Sequence, residues 1–515
     1  MATVESPSNV LTYFSKLLGV REAEITFLIC QFTAFFYSYL FRWYLNPRKV
    51  SATTRHISQV LLGILMACVS FGWGIFHILI GAGVSLLMIF TIDPKVVQYY
   101  VFAFAMIHLS WVHLYMQVRN AGVGNLDYIG PMMILTVKTS SLAFSIHDGF
   151  TKDESKLNSL QKQLVVRRYP RFLEFWSYIF SPQGLLVGPI CYFSNYVDFI
   201  QGNNFIRKVK NESGEERIVY EEPSSMRAVT MKSLFALFCA VILMTTVPKV
   251  PIMGNISAEV LKSSSILYRL GYLLVSVEVA KSKYFFGWMW ADAICNAAGL
   301  GFAGYDENGR PDWSGVQNVD VIGFQTATSL KTLIDSWNIT CAMWLKYVCF
   351  DRVPSHKRFL TFVLSAFWHG FYPGYFATFI SGSLMVSAAA KVRYVVRPFF
   401  LSSSKMKLFY DVITWLCTYV TLAYIITPFT YLRLQPTLQF FNSYYWFLHV
   451  LAALVLLVFP SRRRSSHQPE TIQKTNQNGF SVSDCQNYIQ DSGATTCSIR
   501  DVVCGTETEH GRKGR

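Results

Sequence analysis

Apolar runs of membrane-crossing length recur along this chain from Ile25 to Phe459, and short polar stretches separate them. A helix needs about 20 apolar residues to cross the hydrocarbon core of a bilayer. Inside that core each backbone N–H and C=O must find a partner within the protein, so continuous apolar runs of this length fold as helices. The pattern predicts an all-α polytopic membrane protein with roughly eleven membrane segments. Composition agrees: 52% of the residues are hydrophobic and only 15% are charged, against about 25% charged in a soluble domain.

The net charge of +15 is spread over short polar segments. Lys and Arg beside membrane spans follow from topology and anionic headgroups, so nucleic acid is not an expected partner and membrane lipids are. The 11 cysteines lie mostly in apolar segments and form no C-x-x-C pair. They read as small buried hydrophobes, and no metal site or disulfide framework is expected.

Three regions follow. Residues 1–24 form an N-terminal interfacial segment, with Tyr13, Phe14, Leu17 and Leu18 on one face of a surface helix. Its start lacks a basic region and a cleavage signal, so no removable signal peptide is expected. Residues 25–460 form the membrane core. Residues 461–515 are a polar tail that cannot bury enough apolar surface to order itself. Arg462, Arg463 and Arg464 place that tail in the cytosol by the positive-inside rule.

Within the core, Arg42 is expected to snorkel to the headgroups. Gly122 to Tyr128 reads as a turn, and Lys138 as marking a wet or paired helix face. The segment 172–200, with Pro182, Gly184, Gly188 and Pro189, reads as re-entrant or cavity-lining backbone. Residues 203–227 read as an exposed loop. Glu278 and Lys281 are three apart and can pair on one helical face. His108 and His113 read as packed or interfacial histidines. Asn255 in Asn-Ile-Ser is a glycosylation acceptor if its loop is lumenal.

Asp335 to Tyr375 holds two apolar segments, each with one conspicuous polar side chain: Asn338 near the start of the first, His369 near the end of the second. A polar group at membrane depth is a functional-site hypothesis. The separation corresponds to one crossing out and one back, so both side chains are expected to line one cavity. No Asp or Glu lies between Phe359 and Tyr375, which argues against a metal there. A neutral imidazole in apolar surroundings suits a general base, able to take a proton from a hydroxyl as it attacks an activated acyl carbon. The Asn338 carboxamide can orient that hydroxyl or stabilise the oxyanion. A packed histidine and a helix-packing asparagine are the plain structural alternatives. No G-x-S-x-G or H-E-x-x-H pattern supports a serine hydrolase or zinc protease.

Trp337-Asn338 and the run Ser365-Ala366-Phe367-Trp368-His369-Gly370 resemble the membrane-bound O-acyltransferase family, and the likeness covers roughly residues 25–460. His147-Asp148-Gly149, Leu186-Val187-Gly188-Pro189 and Gly301-Phe302-Ala303-Gly304-Tyr305 are similar to its lysophospholipid acyltransferase branch. The final basic segment and tail resemble the members directed to lysophosphatidylethanolamine and lysophosphatidylserine. The resemblance implies the family fold around an intramembrane reaction chamber in the endoplasmic reticulum membrane. It also implies His369 and Asn338 as the reaction pair, acyl-CoA as cosubstrate, a lysophospholipid acceptor and no bound prosthetic group.

Coenzyme A phosphates would need a basic cytosolic mouth, for which Arg167, Arg168, Lys346 and Lys357 are available by charge. Trp337, Trp344, Trp368 and Tyr372 are candidate chamber walls. Asp292 and Asn296 share a helical face and are headgroup candidates. Acylation of a protein or sterol is the alternative enzyme reading, and a transporter or scaffold the alternative outside enzymes.

Overall fold

The computed structural model describes residues 7–120, 128–210, 216–262 and 265–460. Most of the Gly122–Tyr128 turn, the Arg462–Arg464 cluster and the polar tail lie outside the described residues. What is described is helical, apart from two small antiparallel ribbons. One pairs Ile206–Lys210 with Glu216–Tyr220, and the other pairs Gly304–Tyr305 with Pro311–Asp312.

The expected count of about eleven membrane segments is corrected. Among the described residues, seven helices are long and apolar enough to cross a membrane, or eight if the pair Leu434–Ser443 and Phe447–Val458, bent by 74°, forms one span. The excess has identifiable sources. The segment 172–200 folds as two short helices, Phe172–Ile179 and Phe193–Gln201. The stretch 268–301 is largely one helix of 33 residues, Ile266–Ala298, which carries internal charges. The helix ending at His369 has only 13 residues. Apolar composition therefore marks burial within protein here as well as contact with lipid.

One span, Ile129–Thr151, is the hub. Its apolar window is 83% buried, whereas the other spans reach at most 44%. Thr136, Thr139, Ser140 and Ser141 turn their hydroxyls back to carbonyls one turn earlier, at 2.5–2.9 Å, so polar side chains sit in the core with their donors satisfied. Lys138 is paired and not wet. It is buried, with Nζ 2.7 Å from the Tyr178 carbonyl at the end of helix Phe172–Ile179, where a cation meets the negative end of the helix dipole. The 172–200 segment is correspondingly packed into the core. A Cβ on Gly63 would lie 1.6 Å from the Phe180 carbonyl oxygen, so only glycine lets these backbones approach.

At the far end of the hub, Asp148 is fully buried. It accepts two bonds from Arg352 at 2.9 and 2.6 Å, one from the Tyr347 hydroxyl at 2.9 Å, and pairs with Lys152 at 2.7 Å. Gly149 beside it passes so close to Val166 that a Cβ would lie 2.1 Å from the Val166 carbonyl oxygen.

Other expectations resolve locally. Glu278 and Lys281 pair at 2.6 Å as their spacing suggests. Arg42 does not snorkel: its guanidinium is held by Glu222, Ser225 and the Pro223 carbonyl, each at 2.6 Å, which also docks the end of the 203–227 segment onto the core. Asn255 is no accessible glycosylation acceptor. Its amide is buried and donates to the Ile252 carbonyl at 2.9 Å and to Ser276 at 2.8 Å.

Candidate active site

Asn338, near the start of the first apolar segment, lies at a break between two short helices and not within one continuous helix. Helix Leu330–Asp335 ends, Trp337 bridges to Val319, and Asn338 takes φ 48° and ψ 50° before helix Ile339–Leu345 begins. Asparagine is among the few residues other than glycine that enter this left-handed region readily. The break is held by Asn318, whose carbonyl accepts the Ile339 N–H at 2.9 Å and whose side chain accepts the Thr340 hydroxyl at 2.7 Å. Trp337 anchors it on the other side, with ring centroids 4.8 Å from both Trp288 and Phe324. The Asn338 carboxamide lies half-buried beside the Cys341 thiol.

From there the chain runs through a π-helical turn, Lys346–Phe350, bends, and returns as the histidine helix, Lys357–His369. Two contacts fix the two arms as an antiparallel hairpin: Cys349 with Thr361 near the bend, at 3.8 Å, and Trp344 with Trp368 further out, at 5.7 Å between ring centroids. Both tryptophans are tied to the hub, Trp344 to the Ser140 hydroxyl at 3.0 Å and Trp368 to the Met133 carbonyl at 3.1 Å. The same register brings His369 to within about one helical turn of the level of Asn338. The chain therefore folds back as expected, but neither arm is the membrane crossing that the spacing suggested: Ile339–Phe350 is a short apolar helix and Lys357–His369 has 13 residues.

His369 sits among aromatic rings. Phe379 stacks on it at 5.1 Å, Phe429 meets it edge-on at 5.1 Å, and Trp368 and Tyr375 lie at 4.7 and 5.7 Å. Among the described residues its ring has no hydrogen-bond partner, so both nitrogens are free to meet a ligand. Gly370 follows with φ +119°, where side chains rarely sit, and Gly374 passes the end of helix Ser404–Tyr431 so closely that a Cβ would lie 2.1 Å from the Pro428 carbonyl oxygen. These glycines let the chain turn out of the histidine helix directly into helix Pro373–Val396.

Residues 113–429 match the membrane-bound O-acyltransferase family, a span that includes the whole hairpin. Likeness to curated proteins runs further. The chain is 38% identical to human membrane-bound glycerophospholipid O-acyltransferase 2 over 507 residues, which covers 97% of each protein. It is 35% identical to Drosophila melanogaster lysophospholipid acyltransferase 6, over 92% of this chain and 66% of that one. It is 29% identical to Schizosaccharomyces pombe lysophospholipid acyltransferase, over 88% and 89%. The chain belongs to the membrane-bound O-acyltransferase family.

In this acyltransferase the basic residues singled out by charge gather around the bend of the hairpin and the adjoining segment 152–171. Arg167 donates to the Gly149 carbonyl at 3.2 Å, Arg168 pairs with Glu174 at 2.7 Å, Lys346 with Asp351 at 3.5 Å, and Lys357 lies over the Phe350 ring at 5.8 Å. Lys152 and Arg352 join them through Asp148, and sequence reasoning missed both. Burial pushes the Glu174 carboxyl up, but the hydrogen bond and charge of Arg168 and the Arg171 N–H pull it further down, so its pKa is lowered from 4.5. The histidine helix separates this basic corner from His369 by roughly 18 Å.

Asp292 and Asn296 are placed elsewhere. Both are buried; Asp292 pairs with Lys232 at 2.8 Å, and a Cβ on Gly301 would lie 1.8 Å from the Asn296 side-chain oxygen. Their described partners are Lys232 on Met226–Thr245 and the glycine loop that follows Ile266–Ala298. Of the candidate walls, Trp344 and Trp368 are buried structural anchors, Trp337 is the anchor of the break, and Tyr372 lies 6.0 Å from Tyr375 near His369. Among the described residues no group of three or more His, Cys, Asp or Glu side chains could hold a metal ion.

Proposed function

We propose that this enzyme is a lysophospholipid acyltransferase that moves a fatty acyl group from acyl-CoA to the free hydroxyl of a lysophospholipid. The observation that carries the reading is the near full-length likeness to the human glycerophospholipid O-acyltransferase. The hairpin supports the assignment of roles. His369, surrounded by aromatic faces and without a hydrogen-bond partner among the described residues, takes the proton of the acceptor hydroxyl as its oxygen attacks the thioester carbonyl. Asn338 orients that hydroxyl or holds the developing oxyanion. The carbon–sulfur bond breaks, the thiolate of coenzyme A leaves, and the proton passes from the imidazolium to the sulfur. No acyl-enzyme is needed, because the thioester is already activated.

The basic corner of Arg167, Arg168, Lys346, Lys357, Lys152 and Arg352 suits the phosphates of coenzyme A, with the acyl arm reaching along the histidine helix toward His369. We place the enzyme in the endoplasmic reticulum membrane with its C-terminus in the cytosol. The preferred acceptors are lysophosphatidylethanolamine and lysophosphatidylserine. Their ammonium groups donate hydrogen bonds that a quaternary choline lacks, and leaving a buried acceptor unpaired costs about 1–3 kcal/mol.

The test is a mass-resolved panel of lysophospholipids and acyl-CoAs with the purified enzyme. Acyl transfer with kcat/KM for ethanolamine or serine above that for choline is expected. A choline preference rejects the headgroup assignment alone, and absence of transfer to any lysophospholipid rejects the reaction.

A further inference from the structure

His113 is buried in helix Val97–Asn120, and its ring lies under the turn that carries His369. Its Nε2–H donates to the Trp368 carbonyl oxygen at 3.1 Å, and the ring fills the space beside Gly370, where a Cβ would lie 2.9 Å from Nδ1. The last carbonyls of a helix have no partner within it. At this C-terminus the Gly370 N–H returns to Ala366 and Phe367, which leaves the Trp368 carbonyl for His113. That carbonyl belongs to the peptide joining Trp368 to His369, so the bond fixes the plane from which the His369 side chain departs. Among the described residues, the His369 ring is confined on its other side by rings, which limit where it sits and offer no hydrogen bond to set its rotation.

We propose that His113 is a positioning residue for acyl transfer: by holding the Trp368–His369 peptide through the Trp368 carbonyl, it aims the His369 imidazole at the acceptor hydroxyl. This rests on the reading of His369 as the general base. An arrangement of this kind acts on turnover and not on binding. A misplacement of a reacting group by about 1 Å can cost about 10²-fold in rate.

The experiment compares His113→Gln, His113→Asn and His113→Leu in the full chain, purified in detergent, with kcat and KM for acyl-CoA and lysophospholipid determined per folded protein. His113→Gln keeps an N–H at the reach of Nε2 and is expected to retain most of kcat. His113→Asn falls short of the carbonyl and is expected to lose about 10²-fold in kcat, with both KM values unchanged, and His113→Leu to lose as much. Introduced into His369→Ala, His113→Asn is expected to cause no further loss. Wild-type kcat in folded His113→Asn overturns the proposal, as does a rise in KM alone, or an equal kcat loss in the Gln and Asn variants. If His113→Leu does not fold, the Gln and Asn pair still decides. Wild-type turnover in His369→Ala overturns the general-base reading instead, whatever the His113 variants do.

Discussion

At the bend of the hairpin the Asp148 carboxylate takes bonds from Arg352, Tyr347 and Lys152, whereas at its open end the His369 ring meets aromatic faces and has no hydrogen-bond partner among the described residues. Both sites put a titratable group in a largely apolar protein. A buried polar network whose members are all matched rigidifies the structure around it. A histidine left unmatched, with its backbone held and its ring free at both nitrogens, keeps its hydrogen-bonding capacity for a ligand. The first site therefore reads as a brace between the hub and the hairpin, and the second as a place for chemistry.

The comparison breaks most readily at Asp148. Replacing it with Ala leaves the half-buried Arg352 guanidinium without its carboxylate, and breaking a fully buried pair costs about 3–5 kcal/mol, an upper bound here. Thermal unfolding in detergent should show a large drop in stability, while kcat per folded protein changes little. A selective loss of kcat in stable protein would move Asp148 from brace to reaction site.

Asn338 separates backbone from side chain. Asn338→Gly keeps a residue at ease with φ 48° but removes the carboxamide. Turnover should fall about 10²-fold, the scale of losing one oxyanion donor, with little change in stability. Unchanged turnover would leave Asn338 with a purely conformational role at the break.

The pair Arg168–Glu174 sharpens the bend end. Because the folded carboxyl titrates below 4.5, its contribution to stability is present above the unfolded pKa and is lost as pH falls through the folded one. Arg168→Gln lacks that contribution, so it should be less stable than wild type at neutral pH, with the difference shrinking as pH falls through the folded pKa of wild-type Glu174. Superimposable pH profiles would show that the ion pair adds nothing there. The smallest effect is expected at Ser140→Ala, which removes the hydroxyl that accepts the Trp344 N–H and leaves the Trp344 packing in place. A cost of about 1 kcal/mol should appear as a slight fall in thermal stability, and no change would make the bond dispensable.

The hairpin was legible in the sequence because two apolar arms each carried one misplaced polar side chain, and the Glu278–Lys281 pair because three residues bring two side chains to one helical face. The break at Asn338 was not legible. It depends on Asn318 and Trp288, neither of which any local pattern ties to it. Nor was the number of spans: helices such as Phe172–Ile179 and Phe193–Gln201 are apolar because protein surrounds much of them, and composition alone does not separate that from lipid. Asp148 with Arg352, and His113 with the Trp368 carbonyl, join positions 204 and 255 residues apart. The residues facing each other there are fixed by tertiary packing, so His113 looked like any packed histidine.

The most direct measurement is acyl transfer from acyl-CoA to lysophosphatidylethanolamine by purified His369→Ala, per folded protein, with binding of both substrates determined separately. Loss of a general base typically costs 10²–10⁴-fold. The account predicts a loss of that size in kcat, with the membrane fold intact and both substrates still bound; near-wild-type turnover in the folded variant would contradict it.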